Sequence, residues 1–125
     1  MRLTITESYM NELKDKYATQ ADAARFVYGI KQKWFSFLPK QYILLLEKEM
    51  IHVITLNSLT AEVKQVSTIN IAEDAVQFKF KEGIILSKFK VYCAGKKYID
   101  LKISKNLMGM KELQRKGIDF MIENY

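Results

Sequence analysis

Lysines recur in this sequence with a spacing that could do electrostatic work. Residues 79–105 hold eight lysines against two acids. Five of them, Lys79, Lys81, Lys88, Lys90 and Lys102, alternate with apolar residues such as Phe78, Phe80, Phe89, Val91, Leu101 and Ile103. Alternate residues of a strand share a face, so these lysines would line one positive surface able to hold anionic headgroups or nucleic-acid phosphates. Every base in the stretch is lysine, which lacks the bidentate fork that arginine brings to specific phosphate recognition. Lysines on exposed strands also do a plainer job, keeping a sheet soluble and its edges unpaired. Both roles stay open at this level.

A second cluster combines Trp34, Phe35 and Phe37 with Lys31, Lys33 and Lys40 nearby. Tryptophan and lysine together suit the headgroup region of a membrane. The same residues equally suit docking of one part of the chain on another, or on a neighbouring subunit, because exposed apolar clusters are unusual on monomers.

Residues that could carry covalent or acid–base chemistry are sparse. His52 is the only histidine and sits between Ile51 and Val53, where a structural role is expected. Cys93 is the only cysteine, so no internal disulfide forms, and its place beside Phe89 and Val91 reads as a small buried hydrophobe. Glu73-Asp74 reads as a turn. No zinc spacing, phosphate loop, dinucleotide fingerprint or nucleophile elbow is present. The sequence therefore predicts no enzyme, no metal, no cofactor and no small-molecule substrate.

The elements that must position these residues follow from hydrophobic period. The chain has 125 residues and a net charge of +6, the size of one domain with a core of its own. Tyr9, Met10, Leu13 and Tyr17 recur at helical spacing after a possible cap at Thr6, and Ala23, Phe26, Val27, Ile30 and Trp34 predict a second helix that ends before Pro39. Beyond Pro39 the period shortens. Strands are expected over Tyr42–Glu47, Met50–Leu56, Thr60–Val66, Ser67–Ile71 and Val76–Lys81, then through Phe89–Cys93 and Ile99–Ile103. Lys48-Glu49, Glu82-Gly83 and Ala94-Gly95-Lys96 supply turns. Leu107, Met110, Gln114, Ile118, Met121 and Ile122 then share one side of a closing helix despite Gly109 and Gly117.

The longest apolar run, Tyr42–Leu46, is far below the roughly 20 residues of a membrane-spanning helix. The first residues carry no apolar core of a secretory signal, so a cytoplasmic location is expected. The fold class expected is α+β, with an N-terminal helical extension over 1–38 and an antiparallel meander of about seven strands, capped by a helix, over 39–125.

That order of elements resembles the pleckstrin-homology superfold, and Val76–Ser104 is similar to the bacterial pleckstrin-homology-like domains. Gly83, Ile84, Ile85, Leu86, Ser87 and Lys88 fall on the family's glycine-led turn, Ala94-Gly95-Lys96 on its next hairpin, and Ile103-Ser104-Lys105 on the entry to the closing helix. The resemblance runs from about Pro39 to Tyr125 and leaves the first 38 residues unmatched. It implies a strongly bent barrel used for binding, with ring-like homo-oligomers among bacterial members. Phosphoinositide readers of the superfold carry bases in their first hairpin loop. Taking that loop as Glu47-Lys48-Glu49, the chain departs from them.

The expected function is thus a non-catalytic interaction module that binds a protein partner or itself. An anionic membrane surface is the alternative, and nucleic acid a further one.

Overall fold

The computed structural model describes residues 7–18, 25–31, 40–83, 86–104 and 111–124. Helix α1 (Glu7–Tyr17) leads into seven strands, β1 (Arg25–Lys31), β2 (Lys40–Leu46), β3 (Met50–Leu56), β4 (Val63–Asn70), β5 (Val76–Lys81), β6 (Leu86–Cys93) and β7 (Lys96–Ser104), and helix α2 (Lys111–Asn124) closes the order. All strand pairs are antiparallel, in the order β4-β3-β2-β1-β7-β6-β5. The α+β class, the strand-rich centre and the closing helix agree with the sequence.

The expected second helix is replaced by β1. Phe26, Val27 and Ile30 do recur at helical spacing, but a strand buried on both faces is also a continuous apolar run, and the two are indistinguishable by period. Phe26 faces the core under α1 and Val27 the main core, both buried. Gly29, awkward in a helix, fits the strand: a Cβ there would lie 3.0 Å from Leu101 Cδ1. The helical extension therefore reduces to α1 among the described residues, and Thr6 lies outside them. β1 pairs with β2 along seven positions, from Arg25–Leu46 to Lys31–Lys40, across the expected boundary at 38/39.

Two further differences follow. The strands expected over 60–66 and 67–71 are one strand, β4, with a bulge opposite Thr55–Leu56. The sheet also stays open, since β4 and β5 each end it and do not pair with one another.

Openness does not mean flatness. Ile69 of β4 and Phe89 of β6 share one buried cluster, although five strand spacings of about 4.8 Å would hold them about 24 Å apart in a flat sheet. The sheet must curl, and Ile118 and Met121 of α2 fill the space it encloses. The outer face of β1–β4 has its own cover. Tyr9, Met10 and Leu13 of α1 pack on Phe26, Ile43, Leu45, Ile54 and Leu56, and the Tyr9 hydroxyl donates to the Ala61 carbonyl at 2.6 Å. Hence Ile43-Leu44-Leu45-Leu46 is apolar without alternation: 44 and 46 point inward, 43 and 45 outward beneath α1.

The sheet is weakest where its halves meet, because β1 and β7 share only the Ile30–Lys102 bridge. There α2 supplies the missing neighbour. The Tyr28 backbone N–H donates to Gln114 Oε1 at 2.9 Å, and Gln114 Nε2 donates to the carbonyls of Tyr28 at 2.7 Å and Ser104 at 3.1 Å. Gly117 allows this approach, since a Cβ would stand 2.3 Å from the Phe26 carbonyl oxygen.

Candidate binding face

The candidate face is built by three strands whose alternation is strict. Phe78, Phe80, Phe89, Val91, Leu101 and Ile103 point to the core, with Phe78 stacked on Phe89 at 5.9 Å between ring centres. Their neighbours in sequence must then point out. Register brings the outward lysines together: Lys81 pairs with Lys88 and Lys88 with Lys102, making one row across β5, β6 and β7. In the next row Lys79 pairs with Lys90, and Lys90 with Asp100. Lys79, Lys81, Lys88 and Lys102 are exposed and Lys90 is half-buried.

The charge of the face is only partly balanced. Lys97 pairs with Asp100 at 3.3 Å, and the Lys79 ammonium lies 5.3 Å from the centre of the Tyr92 ring. Among the described residues, no ion pair forms at any of the five lysines. Directly opposed like charges destabilise a sheet, so the Lys81–Lys88–Lys102 row holds repulsion that an anion would relieve.

A cavity of about 550 Å³ lies beside β5, lined by Phe78, Lys79, Phe80, Lys81, Lys88 and Lys90. A smaller one, about 170 Å³, opens where β1 and β7 diverge, near Lys31, Tyr42, Thr55, Gln65 and Tyr98. The latter is below the usual size of a small-molecule site. Burial raises the Tyr42 hydroxyl above its ordinary pKa, as it does for Tyr28, so both are proton donors rather than bases near neutrality.

The aromatic cluster falls outside the described residues. Trp34, Phe35 and Phe37 belong to the 32–39 segment that connects β1 to β2. The first hairpin of the sheet is therefore β1–β2, with Lys33 and three aromatic residues in its connection, and Glu47-Lys48-Glu49 joins β2 to β3 instead. Acidity at 47–49 says nothing about a first hairpin loop.

Sequence reasoning missed one polar constellation. His52 Nε2 and Glu47 Oε2 are 2.5 Å apart and both residues are buried, while His52 Nδ1 is 3.1 Å from Thr68 Oγ1. The signal lay in the hairpin register: Leu45 opposes His52, so Glu47, two residues on, shares that face. A carboxylate, imidazole and hydroxyl in line have the order of a nucleophile relay. Thr68, however, sits within a paired strand, and neither cavity above is lined by Thr68 or His52. The line reads as a polar clamp across β2, β3 and β4.

Cys93 is half-buried against the core, and burial first, then the Asp74 carboxylate, raises its thiol pKa, the reverse of what an activated nucleophile needs. Among the described residues, no three His, Cys, Asp or Glu side chains gather as metal ligands, and no helix is long and apolar enough to cross a membrane. No protein-family model and no curated protein matches this chain.

Proposed function

We propose that this chain is a non-catalytic interaction module of the pleckstrin-homology-like kind that engages an acidic protein partner through the outer face of β5, β6 and β7. The observation that carries the reading is the Lys81–Lys88–Lys102 row, three cations in cross-strand register with no ion pair among the described residues. Seven antiparallel strands and a closing helix support the pleckstrin-homology-like part, since both belong to the outline the sequence resembles. A fold of this kind does not by itself name a ligand; the charges do.

Binding of labelled polyglutamate, followed by fluorescence anisotropy at about 10 and 150 mM salt, tests the reading, because the screening length falls from about 30 to 8 Å between them. Tight binding at low salt, weakened at high salt and lost in a K81E/K88E variant, is expected. Salt-independent binding, or none, defeats it.

An anionic membrane surface is the second reading. It is favoured by the β1–β2 connection, which carries Lys33, Trp34, Phe35 and Phe37. Acidic vesicles should then shift the Trp34 emission to the blue, and an unchanged spectrum would remove this reading.

A further inference from the structure

Resting on the proposed acidic partner, we infer that the partner docks as an extended segment of alternating acidic and apolar residues, added as a further strand along the open edge of β5. The cavity of about 550 Å³ is the starting observation. Its lining takes Phe78, Lys79, Phe80 and Lys81 from β5, and Lys88 and Lys90 from the outer face of β6. Successive side chains of a strand point to opposite faces. Lys88 and Lys90 belong to β6, so the cavity opens over the outer lysine face that the edge strand β5 forms with β6.

β5 has β6 on one side and no strand on the other among the described residues. A sheet edge of this kind is a template for main-chain pairing. A segment placed there alternates across the same two faces. Its outward residues meet Lys79 and Lys81, with Lys90 and Lys88 one strand behind; its inward residues meet the half-buried rings of Phe78 and Phe80. Acidic residues at every second position, with apolar residues between, satisfy both sides at once. Clustered acids would put carboxylates against the rings.

The same charges select against other occupants. Two β5 edges paired antiparallel would set lysine against lysine at about 5 Å between Cβ atoms, which is unfavourable. A second copy of this chain is thus disfavoured at this edge, and a neutral strand gains no ionic attraction. An acidic strand turns the repulsion into attraction, so the edge discriminates by sign.

The test uses the full chain and four probes: a ten-residue peptide alternating valine and glutamate, a block peptide of the same composition, acidic vesicles, and duplex DNA. The alternating peptide is expected to bind at least tenfold more tightly than the block peptide. N-methylation of its alternate amides should abolish binding in one of the two registers. A K79E/K81E variant should lose at least tenfold, and a peptide alternating valine and lysine should restore binding to it. Should that variant fail to melt cooperatively, K79Q/K81Q is expected to show the loss without the rescue. Equal binding of alternating and block peptides overturns the added strand while leaving the acidic-partner reading standing. Tighter binding to vesicles or DNA than to any peptide overturns the acidic segment as occupant. If no probe, polyglutamate included, binds at low salt, both readings fall.

Discussion

Gln114 makes hydrogen bonds that a strand would otherwise make, and this defines the residue scale of the molecule. Its amide pairs with both the N–H and the carbonyl of Tyr28, where β1 and β7 separate. Those groups are peptide dipoles at the junction of two half-sheets, and an unmet one costs about 1–3 kcal/mol. Replacing Gln114 with alanine is expected to lower unfolding stability by about 2–3 kcal/mol on that basis, measured as a shift in the urea midpoint at constant slope. A smaller loss than 1 kcal/mol would mean water takes over. Tyrosine ionisation gives a second readout at this scale. Burial raises the pKa of Tyr28 and Tyr42 in the folded chain. The folded state therefore holds these protons more tightly than the unfolded one, whose value is about 10. Their contribution is full below that pH and is lost as pH rises through the folded values. Melting temperature should fall above about pH 10, less steeply in a Y28F variant, whose hydroxyl to Gln41 Oε1 is also gone.

At the scale of elements, each helix has a distinct covering task. α2 lies directly on β1, with Gly117 against the Phe26 carbonyl at a distance no Cβ tolerates. Gly117→Ala gains helix propensity of about 1 kcal/mol yet forces the helix away from β1 and from the Gln114 bonds. Net destabilisation of about 1–3 kcal/mol is expected, and a more stable variant in a thermal melt would show that the helix can shift freely. α1 seals the outer face of β1, β2 and β3. Leu13 is buried there against Ile43, Leu45 and their neighbours, and burial of such a side chain is worth about 1.5–3 kcal/mol. Leu13→Asp should detach α1, expose this face and raise dye binding to apolar surface, with oligomers on a sizing column. A monomer that binds no dye would contradict the covering role.

For the whole molecule, the governing feature is the field of a basic face on one half of the sheet. The +6 net charge is concentrated there, while residues 42–78 hold two bases and five acids. A protein keeping three opposed cations in register gives up some stability for the field they make. Lys88 is the middle of the row. Lys88→Glu is expected to raise stability by about 0.5–1 kcal/mol at low salt, a gain of the size measured for exposed cross-strand pairs, and the gain should vanish in about 1 M salt. The same change should weaken binding of acidic ligands. Lower stability at low salt would mean that the row is not repulsive.

Strands 76–104 were legible in the sequence because each has one apolar face and one lysine face, a period of two that no helix shares. The turn between β6 and β7 was legible too: Ala94 and Gly95 both take positive φ, as a two-residue hairpin requires. The lysine row was half-legible. Alternation put the five lysines on one side, and only pairing in register set Lys81, Lys88 and Lys102 abreast. Residues 25–31 were not legible, because Phe26, Val27 and Ile30 fit a helical period as well as a strand covered on both faces, whereas β2 and β3, covered in the same way, are bounded by breaks at Pro39 and Lys48-Glu49. Glu47, His52 and Thr68 meet through the register of three strands, and Gln114 finds Tyr28 across 86 residues of chain. Period and breaks in the sequence fix where most elements lie along the chain; the fold alone sets every contact made across the sheet, since local period records burial and not the identity of the neighbour.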